Sequence, residues 1–343
     1  MENKKVTIYD LAEEVGVSTA TISRVIAGNY PVSQKTREKV QKVIDKYDYR
    51  PNAIARTLSN KKSRLIGFIT PAITNPFFSQ VFVEVDKYAL EKGYSVLLGN
   101  SMHSNELESS YIRILLEQQA EGIILLGGLI NDTVPDPNSV QELIEVQKGT
   151  KLVTINGKIE GMNNSSVRTD EAKGIELIIK HLVSLGHKKI GLIGGVKGIT
   201  TTDIKVNTFK KELKKYNLDY KDSWQIYSSY DIASGEEGFE ELIRTNRELP
   251  TALLGINDLV GVGMIKASKR HPDKSFAFVG FDDTSLAQTS SPELTSIRHP
   301  YEKLGKMAIE MIDGGGPSRD IILPPRLVVK ESTLRNMAGK VEL

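Results

Sequence analysis

Residues 7–28 read TIYDLAEEVGVSTATISRVIAG. Thr7 stands as a helix N-cap, and Asp10 three residues later completes the spacing of a capping box. Ile8, Leu11, Ala12 and Val15 fall at i, i+3, i+4 and i+7, one apolar stripe of a helix. Gly16 breaks the stripe. Ser18 then caps a second helix, whose inner side is Ile22, Val25 and Ile26. Two short helices on a tight glycine turn predict a helix-turn-helix. Beyond it, Gly28-Asn29 and Pro31 stop the second helix. Ser33 caps a third, with the stripe Val40, Val43, Ile44 and Tyr47.

In a helix-turn-helix that reads DNA, the second helix lies in the major groove with its first residues against base edges. The outward positions of that helix are expected to be Thr19, Ala20, Ser23 and Arg24. An arginine bonds guanine bidentately, and small neighbours let it approach. Thr7, Ser18 and the first amides of their helices suit phosphate. Spacing alone fits a three-helix bundle that binds no DNA equally well. Charge favours the polyanion: residues 1–64 hold 13 Lys/Arg against 7 Asp/Glu, a net +6, while the remainder carries −4.

Other classes are excluded by what is missing. There is no cysteine for a disulfide or a thiolate metal site, and the five histidines are scattered. No apolar run reaches the ~18–20 residues of a membrane span. The first residues, MENKKVTIYDLAEE, lack the apolar core of a signal peptide, so a cytoplasmic protein without membrane contact is expected. No nucleophile–base pair or metal spacing is present, so no enzyme, cofactor or metal is expected. GGVKG (194–198) and GGG (314–316) lack the Lys-Ser/Thr of a phosphate loop and read as ordinary loops.

RPNAIARTLSNKKSR (50–64) begins with a proline suited to a first helical turn and runs for about two turns, a helix marginal by itself. Lys61, Lys62 and Arg64 fit either phosphate contact or a solvated linker. From Leu65 onward, short apolar runs alternate with helix-length stretches: LIGFIT, YSVLLGN, GIILLG, KLVTIN, KIGLIGG, ALLGIN and FAFVGFD. That alternation predicts βαβ units in parallel sheets covered on both faces. A stretch of this length predicts two doubly wound α/β subdomains rather than one. Ligands of such sheets sit at the carboxyl ends of the strands. Those ends carry Asn75-Pro76-Phe77-Phe78, Asn156, Asn257-Asp258 and Asp282-Asp283. Each alone reads as a cap or turn; recurring together, aromatic faces with amides and carboxylates suit a polyhydroxylated ligand.

VTIYDLA (6–12), GVSTATISRV (16–25), VSQKTREKV (32–40) and YRPNAIARTL (49–58) closely resemble the head of the LacI/GalR family of transcriptional repressors. The resemblance continues through SRLIGFITPAITNPFFSQ, GHKKIGLIGG, INDLVGVG, VGFDDTSLA and PELTSIRHPYEKLGKMA, over essentially the whole chain. Around SRLIG and ITNPFF it is similar to ribose and sucrose operon repressors. It implies a small all-α helix-turn-helix head (1–50), a hinge helix and linker (51–63), and a periplasmic-binding-protein-like core (64–340) for effector binding and dimerisation. Within that core the N-subdomain is expected at 64–161 plus 292–325, and the C-subdomain at 162–291 plus 326–338.

The family's roles follow position by position. Thr19, Ala20 and Arg24 sit where bases are read, and Thr7, Ser18, Thr21, Ser23, Ser33 and Thr36 where phosphates are met. Leu58 sits at the wedge that kinks the minor groove, with Asn52, Ala55 and Arg56 as further hinge contacts. Phe77, Phe78, Asn156, Tyr230, Asn257 and Asp282 are implied to line the sugar cleft. Two positions depart from the family. Ala72 stands where an Asp is common, and Lys205 where an Arg forms a planar clamp. The altered clamp points to a non-ribose, larger or phosphorylated ligand. The implied partners are double-stranded operator DNA, a small carbohydrate effector and a second copy of the chain. The runner-up is a global catabolite-control regulator with a phosphocarrier protein as corepressor.

Overall fold

The structure, a computed structural model, describes residues 6–27, 31–49, 63–314 and 316–334. The chain divides into two units, 1–63 and 64–343. In the first, Thr7 opens α1 (Ile8–Val15) with the expected capping box. Its hydroxyl donates to Asp10 Oδ2 at 2.7 Å, and that carboxylate accepts the Thr7 amide, also at 2.7 Å. Gly16 ends α1 at φ +72, a left-handed position that costs an L side chain strain and a glycine nothing. The amides of Gly16 and Val17 both bond the carbonyl of Ala12 at 3.0 Å. α2 (Thr19–Ala27) follows, then α3 (Gln34–Lys46), capped by Ser33. Leu11, Ala12, Ile22, Val25 and Val40 form the buried core of the unit. Tyr47 departs from the expected stripe: it is the C-cap of α3 and is exposed, and Tyr49 packs against the core instead.

The second unit contains two six-stranded sheets among the described residues. The chain runs β1 (Leu65–Thr70), α4 (Pro76–Glu91), β2 (Ser95–Asn100), α5 (Asn105–Glu117), β3 (Gly122–Leu126), α6 (Pro137–Gly149), β4 (Lys151–Ile155) and β5 (Ser165–Thr169). It crosses to α7 (Glu171–Ser184), β6 (Ile190–Ile193), α8 (Thr200–Lys215), β7 (Gln225–Ile226), α9 (Ile232–Thr245), β8 (Ala252–Gly255), α10 (Asp258–Ser268), β9 (Ala277–Asp282), α11 (Ser285–Thr289) and β10 (Thr295–Arg298). It returns for α12 (Tyr301–Asp313) and β11 (Asp320–Leu323), and crosses once more to β12 (Arg326–Val328) and α13 (Glu331–Leu334).

The first sheet has the order β11-β5-β4-β3-β1-β2 and the second β12-β10-β9-β8-β6-β7. All neighbours are parallel except β10 and β12. Both orders reverse direction once, between β1 and β3 and between β6 and β8. Such a switch point opens a crevice beyond the carboxyl ends of the strands. The central strands are buried along their length and read as continuous apolar runs.

The subdomain limits read from sequence need correction. β5 lies in the first sheet, paired with β4 and β11, so the first lobe extends to about residue 169 and not 161. β10 lies in the second sheet, paired with β9 and β12, so residues 292–298 belong to the second lobe. SSVRT and TSIR are too polar to announce themselves as strands; their partners in space decide them.

Candidate functional site

The head presents its hydroxyls as helix caps. Ser18 Oγ accepts the amide of Thr21 at 3.2 Å and lies 3.0 Å from its hydroxyl. Ser33 repeats the arrangement with Thr36, at 3.3 Å and 2.8 Å. Thr7, Ser18 and Ser33 are exposed, so each capped helix end faces water. On α2, Ile22 and Val25 turn inward, while Ala20, Ser23 and Arg24 face outward. Thr19 and Thr21 are half-buried at its start. Hydroxyls, an arginine and an alanine thus share one exposed helix end. The expected hinge contacts Asn52, Ala55, Arg56 and Leu58 lie outside the described residues.

In the second unit the carboxyl ends of both sheets meet at a cleft of about 890 Å³. Its walls include Phe77, Phe78, Asn156, Lys205, Tyr230, Asn257 and Asp282, the seven positions that the family resemblance singles out, whereas Asp258 and Asp283, also at strand ends, do not line it. Asn75 caps α4 by accepting the Phe77 amide at 3.0 Å, with Pro76 in the first turn. That start swings Phe77 and Phe78 into an edge-to-face pair, centroids 5.2 Å apart. Phe77 also tilts against His299 at 4.8 Å. Opposite, the Tyr230 hydroxyl shares a 2.8 Å bond with Thr202.

Two of the amides carry structural duties. Asn257 caps α10 by accepting the Val260 amide at 2.9 Å and donates to the Tyr230 carbonyl at 2.9 Å. Both ends of its side chain are therefore engaged, and its part is to hold Tyr230. Asn156 accepts the Thr169 amide at 2.7 Å, but its Nδ2 is buried with no partner. Asn156 itself stands at φ +52, a conformation asparagine tolerates better than most residues.

Asp282 sits at φ +126, a conformation costing a non-glycine residue about 1–3 kcal/mol. Tyr301 holds it there by donating to its carbonyl at 2.7 Å. His299 Nε2 lies 3.1 Å from Asp282 Oδ1, and its Nδ1 lies 2.8 Å from Thr169 Oγ1. Burial pushes the His299 imidazole down to about 4, with the Glu171 carboxylate raising it and the Lys205 ammonium lowering it, so the ring is neutral near pH 7. Burial pushes the Asp282 carboxyl up, and Lys205 opposes that. Asp258 is pushed up by burial and by Asp282. It points away from the cleft, accepting the Thr284 amide at 2.6 Å and the Ser296 hydroxyl at 2.5 Å. Asp283 is likewise structural, buried between Arg298 at 3.1 Å and Lys330 at 2.6 Å.

Lys205 does not stand as an open clamp. Its ammonium donates to the Ile256 carbonyl at 3.1 Å and lies 3.2 Å from Glu171 Oε2 and 3.7 Å from the centre of the Phe281 ring. A compensated cation of this kind offers no free charge to a phosphate. Glu171 Oε2 accepts no hydrogen bond despite that ion pair, because the lysine is not aligned to donate to it.

Residues 7–52 match the bacterial regulatory proteins of the lacI family, and residues 179–333 match the periplasmic binding protein-like domain. The HTH-type transcriptional regulator DegA of Bacillus subtilis is 30% identical over 338 residues, 96% of this chain and 98% of its own. The chain belongs to the lacI family. Catabolite control protein A of Priestia megaterium is 30% identical over 96% of this chain and 99% of its own. The solved structure of the lac repressor dimer bound to operator and the anti-inducer ONPF superposes with TM-score 0.85 at 26% identity, covering 96% of this chain and 99% of that chain. As a lacI-family member the chain is a DNA-binding transcriptional regulator with a helix-turn-helix head and an α/β core of two parallel-sheet subdomains. No helix among the described residues is long and apolar enough to cross a membrane.

Several cleft residues escape a sequence reading. Glu108 lies on α5 and Asp132 follows β3, and neither carries a strand-end signal. Glu171 reads as an ordinary first-turn acid of a helix, and His299 as an isolated histidine. Asn131, Thr202 and Asp231 add to the polar lining. Strand-end position is a signal for only part of a cleft that helices also wall.

Proposed function

We propose that this lacI-family regulator represses a carbohydrate-utilisation operon, and that a small hydroxylated ligand in the cleft sets its hold on operator DNA. The observation that carries this reading is the convergence of aromatic rings, amides and Asp282 at one cleft between two lobes, in a chain that also holds an exposed arginine helix. Thr19, Ala20 and Arg24 read bases, and Thr7, Ser18, Thr21, Ser23, Ser33 and Thr36 meet phosphate. Asn52, Ala55, Arg56 and Leu58 belong to a hinge over 51–63, between a head at 1–50 and a core from 64. Phe77, Phe78, Asn156, Tyr230 and Asp282 face the effector, with Asn257 and Lys205 holding the walls. Two copies on a palindrome place two recognition helices one helical turn apart. The protein works in the cytoplasm by binding, without turning over a substrate.

Fluorescence anisotropy on a palindrome selected from random DNA tests this. Arg24→Ala is expected to lose about 1–3 kcal/mol on the selected site and little on random sequence. Equal losses on both would end the base-reading role of Arg24. The likeness to catabolite control protein A favours a second reading, in which a phosphocarrier protein acts as corepressor. Tighter operator binding on adding a phosphorylated carrier protein, with no response to sugars, would select it.

A further inference from the structure

The charge of the cleft is one-sided. Glu108 and Asp132 line it from the first lobe, and Glu171, Asp231 and Asp282 line it as well. Lys205 is the cation among the lining residues with an ion-pair partner, and that partner is Glu171. Among the described residues, neither Glu108 nor Asp132 has a cation within ion-pairing distance. Glu108 is only 4% exposed. Its carboxylate is set hard against the loop after β3: a Cβ at Gly128 would lie 2.3 Å from Glu108 Oε2, and Gly128 itself has φ +71. Burial, with Asp132 and Glu142 nearby and only the Leu129 amide opposing, raises its pKa to about 7. Burial also raises Asp132.

A second observation points the same way. Glu171 and Asn156 are each 7% exposed and line the cleft, and each has a polar atom without a hydrogen-bond partner: Nδ2 of Asn156, and Oε2 of Glu171, which has only its 3.2 Å ion pair with Lys205. Asn131 Oδ1, on the same wall as Asp132, is unpartnered as well. Acceptors therefore outnumber donors among the unsatisfied groups. The helix ends that face the cleft add few open donors. Asn75, Asp231 and Asn257 already cap theirs with side chains, and only α8, entered from Ile199, has no side-chain cap.

We propose, building on the reading of the cleft as the effector site, that its ligand is a hydroxylated ring bearing a protonated amine. The ammonium meets Glu108 and Asp132, hydroxyls meet Glu171 and Asn156, and the ring lies between Phe77–Phe78 and Tyr230. Phosphorylated sugars are disfavoured, since the buried lysine of the cleft is paired with Glu171 and the acidic wall repels an anion.

The test uses the full-length protein with D-glucosamine and its β-1,4 dimer, D-glucose, cellobiose and D-glucose 6-phosphate, by calorimetry and thermal shift. The amine members are expected to bind about tenfold or more tighter than their neutral counterparts, the worth of one charge-assisted hydrogen bond. Glu108→Gln and, separately, Asp132→Asn are expected to narrow that ratio. A phosphate ester that binds as tightly as the amine, as the uncapped end of α8 would permit, overturns the assignment. So does an amine no better than its neutral counterpart, an unchanged ratio in both variants, or a set in which nothing binds. Operator anisotropy with each ligand separates the two readings. A neutral sugar that releases DNA while the amine does not refutes the amine and keeps ligand-controlled regulation. An amine that binds tightly and leaves operator affinity unchanged does the reverse.

Discussion

Lys205 and Glu171 show how one side-chain exchange changes what a cleft can hold. Both are 7% exposed, and the ammonium lies 3.2 Å from the carboxylate. Removing one partner of a buried ion pair strands the other charge. Lys205→Met is therefore expected to lower the stability of the core by about 3–5 kcal/mol, whereas Lys205→Met with Glu171→Gln recovers most of it. Urea unfolding of both variants measures this. If the single and double variants lose the same amount, the pair is not what holds the two side chains in place. Arginine's fork could reach past such a partner toward a ligand. Lysine, a compact charge on a flexible stem, satisfies itself on Glu171, the Ile256 carbonyl and the Phe281 ring.

Among the elements, α9 and α10 pack closest where glycine removes the side chain. A Cβ on Gly263 would lie 2.2 Å from the Ile232 carbonyl oxygen, and one on Gly235 would lie 2.4 Å from that of Val260. Backbone cannot retreat as a side-chain tip can. Gly263→Ala is expected to cost about 1–3 kcal/mol by pushing the helices apart, read as a lower urea midpoint. β11 is held in the first sheet by Asp320, which accepts from Ser166 at 2.5 Å and meets Lys158 and Arg168 at 3.0 Å. Partial burial raises its pKa, and Ser166, Lys158 and Arg168 outweigh that, holding it at about 2. The unfolded chain then takes up this proton first. The contribution is complete above the ordinary Asp range and is lost as pH falls from about 4 to 2. Asp320→Asn is expected to cost about 1 kcal/mol near neutrality and to flatten this part of the acid limb of a stability–pH profile.

For the molecule as a whole, the core lobes are joined by three crossings, near residues 170, 299 and 324. They also touch at the cleft mouth. Asp132 and Ile199 form an antiparallel bridge, and the Thr133 amide and hydroxyl both donate to the Gly198 carbonyl, at 2.8 and 3.0 Å. A ligand that favours one lobe arrangement by about 10⁴ carries the population from one side to the other. The head's excess of positive charge sets the other condition. Log operator affinity is expected to fall linearly with log salt, and Arg24→Ala, at the proposed base contact, to change that slope by no more than about 1. A titration across salt concentrations checks both. An affinity indifferent to salt would deny the phosphate contacts altogether.

How much of this was legible in the linear chain follows from the range of the interactions involved. The head is local: Thr7 with Asp10, Ser18 with Thr21 and Ser33 with Thr36 are all contacts three residues apart. The central strands announce themselves because burial on both faces demands unbroken apolar runs, and Phe77, Asn156 and Asp282 beyond their ends line the cleft, as does Tyr230, which the family resemblance supplies. The sequence by itself therefore determined the helix-turn-helix, the two-lobed α/β plan and most of one cleft. Tertiary structure alone decided the rest. Polar edge strands such as β5 and β10 exist only through partners distant in the chain. Whether Lys205 offers its charge to a ligand depends on Glu171, 34 positions away, and the acid wall at Glu108 and Asp132 exists only once a helix and a loop are brought together. Capping and periodicity act within a turn or two, whereas the electrostatics of a cleft sum over every element that borders it.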